Sequence, residues 1–193
     1  MESFYSIQGE GFHTGKPAYF IRLAGCDVNC HWCDVKESWD ISEDQYLSID
    51  EIISNVIKYS AETVIITGGE PLMHNLSELT DALKEKNKKI HLETSGTHPI
   101  SGHFDWICFS PKKFKDPLDD FFKLSNELKI IVYNDSDFLW AEELLKKIKN
   151  NPKLTLQPEW SKSKEINPKI LNYIKSNPKW RISLQTHKYL NVE

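Results

Sequence analysis

Three of the chain's four cysteines, Cys26, Cys30 and Cys33, crowd one short stretch, GCDVNCHWCD at residues 25–34. In a reducing compartment, thiols clustered like this hold metals or perform redox chemistry more often than they form disulfides. A structural zinc site asks for four closed ligands. The remaining cysteine, Cys108, stands in the apolar run WICFS, where a thiol behaves as a small buried hydrophobe. Zinc would then have to recruit His13 or His31. A redox pair at Cys30 and Cys33 leaves Cys26 without a task. A 4Fe-4S cluster held by three thiolates differs in kind, because its fourth iron keeps an open position that can hold a substrate or cofactor. Spacing alone leaves these three readings open. A second motif, TGGEP at 67–71, pairs Gly68 with Gly69. Only glycine lets the backbone approach a ligand that closely without a Cβ clash, although the motif is also an ordinary strand-ending turn.

These residues need a frame, and the chain alternates strand with helix. AYFIRLAG (18–25) reads as a strand that runs straight into the cysteine loop, SIDEIISNVIKYS (48–60) as a helix, and TVIITGGEP (63–71) as a buried strand broken by glycines. NLSELTDALKEKN is helical, and KIHLETSG, FDWICFSPK and NELKIIVY read as strands. DSDFLWAEELLKKIKNN opens on capping residues and carries an amphipathic face, so it reads as a helix. KLTLQP, a lysine-rich helix near 165–176 and a last strand in WRISLQTH complete the series. Such alternation predicts an α/β fold, a parallel sheet with right-handed crossovers. The unusual polar motifs, GC, TGGEP, ETSG, SPK, LQP and QTHK, all fall where strands end. In a parallel β/α barrel, closed or partial, those ends form the active-site rim.

Size and composition are consistent with one domain spanning 1–193. The chain has 193 residues and 22.5 kDa, 39% hydrophobic and 27% charged, which suits a globular protein with a real core. A net charge of −4 argues against a general nucleic-acid surface, so any link to nucleic acid is expected to be metabolic. No apolar run approaches a membrane span, and the first residues lack a secretory pattern, so the expected location is the cytoplasm.

The cysteine loop, with Trp32 just before its last thiol, resembles that of radical S-adenosylmethionine enzymes, and the GGE motif after the second strand adds to the likeness. In that superfamily the amino and carboxylate groups of S-adenosylmethionine chelate the open iron, and reduction yields a 5'-deoxyadenosyl radical. The segments FYSIQGEGFHTGKPAYFIRLAGC, ITGGEP, LETSG, SPK, LKIIV, LQP and ISLQTHKYL, covering residues 4–190 almost throughout, are similar to the 7-carboxy-7-deazaguanine synthase family. IQGEG and QTHK are the most specific of them. This resemblance implies a modified, incomplete (β/α)6-type barrel, a homodimer, flavodoxin or ferredoxin as electron donor, and ring contraction of 6-carboxy-5,6,7,8-tetrahydropterin with loss of ammonia.

The resemblance also implies roles. Cys26, Cys30 and Cys33 would ligate the cluster. Trp32, Cys33, Asp34, Gly69, Glu70, the Ser110, Pro111 and Lys112 triplet, and Gln157 would meet S-adenosylmethionine. Ile7, Gln8, Gly9, Glu10, Arg22, Thr67 and His187 would meet the pterin, with Glu10, Arg22 and His187 closest to the chemistry. Glu10 could accept from the guanidine-like edge of the ring, and the fork of Arg22 suits the substrate carboxylate. Plainer roles exist for each: a surface ion pair for Arg22, a solvated tail for His187 and Lys188, a turn for Glu10, and a backbone-orienting role for Glu93. Many family members place Ser or Thr after the Cys-Asp pair to bind Mg2+. Val35 stands there instead, which argues against the metal unless Ser38 or Asp34 stands in or Lys36 supplies the charge. Two rivals share parts of the pattern: a glycyl-radical activase, with the same cluster loop, and a zinc-stabilised binding module.

Overall fold

The computed structural model describes residues 2–42 and 45–192. Its strands are β1 (Glu2–Ile7), β2 (Pro17–Leu23), β3 (Thr63–Gly68), β4 (Lys89–Thr94), β5 (Trp106–Phe109), β6 (Glu127–Val132), β7 (Lys153–Pro158) and β8 (Trp180–Ile182). They lie side by side in chain order in one sheet. β1 runs antiparallel to β2, and every later pairing is parallel. The helices are α1 (Ile49–Val56), α2 (Ser77–Glu85), α3 (Phe121–Leu124), α4 (Ser136–Lys147), α5 (Ser163–Ser176) and α6 (Thr186–Leu190).

The local chemistry explains these elements. Val64, Ile65 and Ile66 of β3 are all buried, the continuous apolar run of a parallel strand covered on both faces. α1 starts at a capping box, in which the Glu51 N–H donates to Ser48 Oγ and the Ser48 N–H returns the bond to Glu51. At the start of α4, Asp135 makes no capping bond; Asn134 Oδ1 accepts the Ser136 N–H at 2.9 Å, and Asp137 holds the preceding turn by accepting the N–H groups of Tyr133 and Asn134 at 2.7 and 2.8 Å. α2, α4 and α5 pack on β4, β6 and β7, and the buried side chains of Leu83, Ala141 and Ile170 join those of Leu92, Ile130 and Leu156 in one core.

The structure adds to the sequence reading at β1, which lies in the Gly-rich start and is fixed by pairing with β2 from Glu2↔Arg22 to Ile7↔Pro17. It also adds the short helix α3 between β5 and β6, and it ends the strand expected in WRISLQTH at Ile182, after which Thr186 opens α6. Between β4 and β5, residues 95–105 cross without a helix, as the two successive strand segments predict.

The sheet is an open barrel with β1 and β8 as its edges. The loop after β1 bridges this gap from inside. The Gly9 carbonyl accepts both the N–H and the hydroxyl of Thr186 at 2.9 Å, and the Gly11 N–H donates to Ser183 Oγ at 2.8 Å. Beyond it, Phe12 stacks on Trp106 with centroids 5.4 Å apart, and His13 packs against Trp106 and His91. Burial, reinforced by the charge of His13, lowers the His91 pKa to about 4, so this aromatic plug is uncharged at neutral pH. IQGEG is therefore the piece of chain that seams the barrel.

Candidate active site

A cavity of about 450 Å3 opens at the C-terminal ends of the parallel strands, the size of a cofactor or small-ligand site. Cys26, Cys30 and Cys33 line it together with motifs from the other strand ends. The loop that carries them leaves β2 through Gly25, at φ +99°, and is pinned where the Gly25 and Cys26 N–H groups donate to the carbonyls of Ser38 and Trp39. From β3, the Gly69 N–H donates to the Leu23 carbonyl and the Glu70 N–H to that of Gly25. A Cβ on Gly69 would lie 2.3 Å from the Gly25 oxygen and 2.8 Å from the Cys26 Cβ. Gly68, at φ +140°, would place one 2.1 Å from the Leu23 oxygen. The paired glycines thus let two strand ends touch and set the height of Cys26.

The thiols are unpaired. Burial, only partly offset by the charge of Lys112, raises Cys30 to about 11, and burial also raises Cys26. Thiols held this high surrender their protons to a metal centre rather than to water. Among the described residues no trio of His, Cys, Asp and Glu is drawn closely enough around one point to hold a single ion. A multi-iron cluster needs no such convergence, so this donor set, three thiols on the rim of a cofactor-sized cavity, fits the cluster.

Around the thiols, Trp32, Asp34, Gly69, Ser110, Lys112 and Gln157 line the cavity as expected. Pro111 instead lines a smaller neighbouring groove with His31 and Phe114. Glu70 reaches the rim through its backbone only. Its carboxylate is buried and accepts from Thr94 Oγ1 at 2.6 Å, from the Ser95 N–H at 2.8 Å, from the Ser95 hydroxyl and from the Leu72 N–H. Lys112 is half-buried and donates to the Ser110 hydroxyl and carbonyl. Gln157 accepts from Ser183 at 2.7 Å and turns its amide to Glu10.

The Mg2+ alternatives do not fit. The hydroxyl of buried Ser38 donates to the Val35 carbonyl at 2.6 Å, and Lys36 stands over the Trp39 ring. Asp34 accepts from Gln185 at 3.0 Å and from the Lys188 ammonium. Both contacts fall on Asp34 Oδ2, and Val35 adds no side-chain oxygen.

The same cavity is lined by Ile7, Gln8, Gly9, Glu10, Arg22, Thr67 and His187. A Cβ on Gly9 would overlap the His187 ring at 2.1 Å, so the glycine is the cradle of that histidine. His187, far from being a solvated tail, is half-buried on α6; burial lowers its pKa while the charge of Glu10 opposes the shift. Arg22 engages Glu2 through Nε at 2.6 Å and covers the Phe4 ring, so the ion pair and the cavity position coexist. Gln8 donates to Glu93 at 3.2 Å and receives the Glu10 N–H at 3.0 Å. Lys129 spans Glu10 and Glu93 at 2.8 and 2.9 Å. Burial alone would raise the Glu10 pKa, but the charge and hydrogen bond of Lys129 bring it down to about 2. Sequence reasoning missed Lys129 and Gln185 and set Glu93 aside. The one available signal was a lysine inside the apolar run LKIIV.

Comparison with known proteins agrees with this geometry. Residues 20–112 match the model of the Radical SAM superfamily, the class of enzyme that an open parallel sheet with a three-thiol rim defines. The 7-carboxy-7-deazaguanine synthase of Flavobacterium psychrophilum is 54% identical over 192 residues, covering 100% of this chain and 91% of that protein. The enzymes of that name from Synechocystis and Escherichia coli K12 are 48% and 36% identical, each matching 99% of this chain and 91% and 97% of their own length. The crystal structure of QueE from Escherichia coli superposes with a TM-score of 0.85 at 32% identity, over 96% of this chain and 92% of the other. The chain belongs to the 7-carboxy-7-deazaguanine synthase family.

Proposed function

We propose that this protein is a carbon–nitrogen lyase that converts 6-carboxy-5,6,7,8-tetrahydropterin to 7-carboxy-7-deazaguanine, in queuosine or related deazapurine biosynthesis. The reaction balances as loss of one ammonia, without an added oxidant. The observation that carries the reading is a single cavity lined both by the three thiols and by Glu10, Arg22 and His187. Cys26, Cys30 and Cys33 would hold the cluster, and Gly69, Ser110, Lys112 and the Trp32–Asp34 stretch would seat S-adenosylmethionine. Bound together, those groups supply a reversible abstraction of hydrogen from the pterin.

The chain's own work is to bind, orient and exclude water. The ionised Glu10 accepts from the amino edge of the pterin, Thr67 and the backbone of Ile7 to Gly9 fix its plane, and the fork of Arg22 receives its carboxylate. His187, in contact with Gly9 and within the field of Glu10, can move a proton as the amine departs. The electron donor is a flavodoxin or ferredoxin, and the protein works as a homodimer in the cytoplasm. Among the described residues no helix is long and apolar enough to cross a membrane.

Two expected results follow from the site. Arg22→Ala raises the KM for the carboxypterin by roughly 10- to 100-fold, the value of a charge-assisted bidentate contact, and lowers kcat less. Steady-state kinetics check this, and a KM close to that of the unchanged protein contradicts it. Removing Mg2+ on a chelating resin and restoring it leaves turnover unchanged, because Val35 has no side-chain oxygen, the Ser38 hydroxyl is spent on the Val35 carbonyl and Asp34 is paired with the Lys188 ammonium; metal-dependent turnover contradicts this. The function as a whole is tested by incubating anaerobically reconstituted protein with S-adenosylmethionine, a reductant and the carboxypterin. The deazapurine and one equivalent of ammonia are expected. An inert pterin, with radical transfer to a protein substrate instead, would support a glycyl-radical activase.

A further inference from the structure

We infer that Lys129, backed by Glu93, is a positioning residue that fixes the Glu10 carboxylate to receive the donor edge of the substrate and so sets affinity for it. The inference rests on the reading of Glu10 as a pterin contact and adds the device that makes it one.

The geometry is a closed ring of hydrogen bonds drawn from three elements. The Lys129 side chain is 7% exposed, and Nζ lies 2.8 Å from Glu10 Oε2 and 2.9 Å from Glu93 Oε2. Glu93 accepts in turn from Gln8 Nε2 on its other oxygen, and Gln8 Oε1 accepts the Glu10 N–H. Gln185 holds Glu10 Oε1 at 3.0 Å. Both carboxylate oxygens of Glu10 are thereby aimed, and the loop bearing them is tied to β4 and β6. A buried ion triad stabilises a fold little, since well-packed apolar residues serve as well or better, so its use here lies with what it faces. Two carboxylates against one ammonium leave one net negative charge in the cavity wall, complementary to a substrate edge built of N–H donors. The other groups around Glu10 are His187 from α6, Gln157 from β7 and Asp34, which shares Gln185 with it. On β6 itself, Glu127 stands two residues before Lys129, beside Glu93 and Cys108. Against the effect of burial, Glu10 and Glu93 hold the Lys129 pKa well above its ordinary value, so its charge persists throughout the working range.

The test is the affinity of holoenzyme for the carboxypterin, measured anaerobically with the cluster oxidised and no reductant present, so that no turnover occurs. Lys129→Met/Glu93→Gln removes one charge of each sign and keeps the net buried charge. Its affinity is expected to be about tenfold weaker at neutral pH, the scale of losing one partner of a buried charged pair. It should also weaken further toward about pH 5, as Glu10, now without its ammonium, titrates upward with burial. Lys129→Arg is expected to restore the pH profile of the unchanged protein, in which any limb from His187 or the pterin is common to all variants. Should the double variant fail to accumulate, Lys129→Gln keeps a hydrogen-bond donor without the charge and is expected to show the same acid limb. A variant with normal melting, normal affinity and the original pH profile would overturn the inference. If Glu10→Gln binds the pterin normally, the reading of Glu10 itself falls. If Glu10→Gln weakens binding while the Lys129 variants do not, only the inference falls.

Discussion

Replacing any one of Cys26, Cys30 and Cys33 with alanine is expected to abolish product and to lower bound iron. The three thiols come from a single loop pinned to β2 by the Ser38 and Trp39 carbonyls, and no other cysteine lines the cavity. Cys108 is 1% exposed within β5, hydrogen-bonded to the Glu93 carboxylate and in the field of Glu127 and Lys129, so it cannot serve as a substitute ligand without unravelling a strand. Loss of one direct ligand exceeds the roughly 10- to 100-fold cost of losing a residue that only supports a ligand. Cys108→Ala provides the contrast. It removes one buried sulfur, costs about 1 kcal/mol or less of stability if the site closes up, and leaves iron content unchanged. Iron and sulfide analysis after reconstitution, together with product formation, separates the two cases. Full iron and retained turnover in a loop variant would contradict the assignment.

Gly69→Ala is expected to have the second largest effect, although residue 69 need not touch the chemistry through any side chain. The new Cβ meets backbone, the Gly25 oxygen at 2.3 Å, and no flexible side chain can move aside to relieve it. Either the end of β3 or the Cys26 turn must shift. Overpacking of this kind costs about 1–3 kcal/mol, and here it falls on the turn that sets one cluster ligand. Iron loading should drop along with the melting temperature. Gly15→Ala is the control: its φ is +88°, but a Cβ there meets nothing within 4 Å, so only the backbone preference of about 1 kcal/mol is lost and iron loading stays normal. Equal loading in Gly69→Ala and the unchanged protein would contradict the role of the close approach.

The central parallel strands β3 and β6 are legible as apolar runs, and β4 as an alternation. Val64 to Ile66 and Leu128 to Val132 carry their burial in their composition, and the polar motifs at their ends mark the rim whatever the crossing angles. β1 was not legible, since ESFYSI is half-exposed throughout and is fixed only by its register with β2. In the site, local motifs survived and long-range partnerships did not. Cys26, Cys30 and Cys33 announce themselves within one loop. Glu10 and Lys129, 119 residues apart, meet only because the loop after β1 turns into the barrel. A lysine in a strand also reads as solvated until the strand's neighbours are known. Glu70 shows the converse, a motif residue whose carboxylate is spent on the fold, satisfying Thr94, Ser95 and Leu72 from the adjoining strand end and turn.

Three protein thiolates would leave one iron of the cluster free for a small chelating cofactor. Electron paramagnetic resonance of the anaerobically reduced protein, recorded with and without S-adenosylmethionine, tests it most directly. A reduced 4Fe-4S signal whose g-values shift when the cofactor is added is the predicted result. A cluster signal indifferent to the cofactor, or a colourless protein that carries zinc in place of iron, would contradict it.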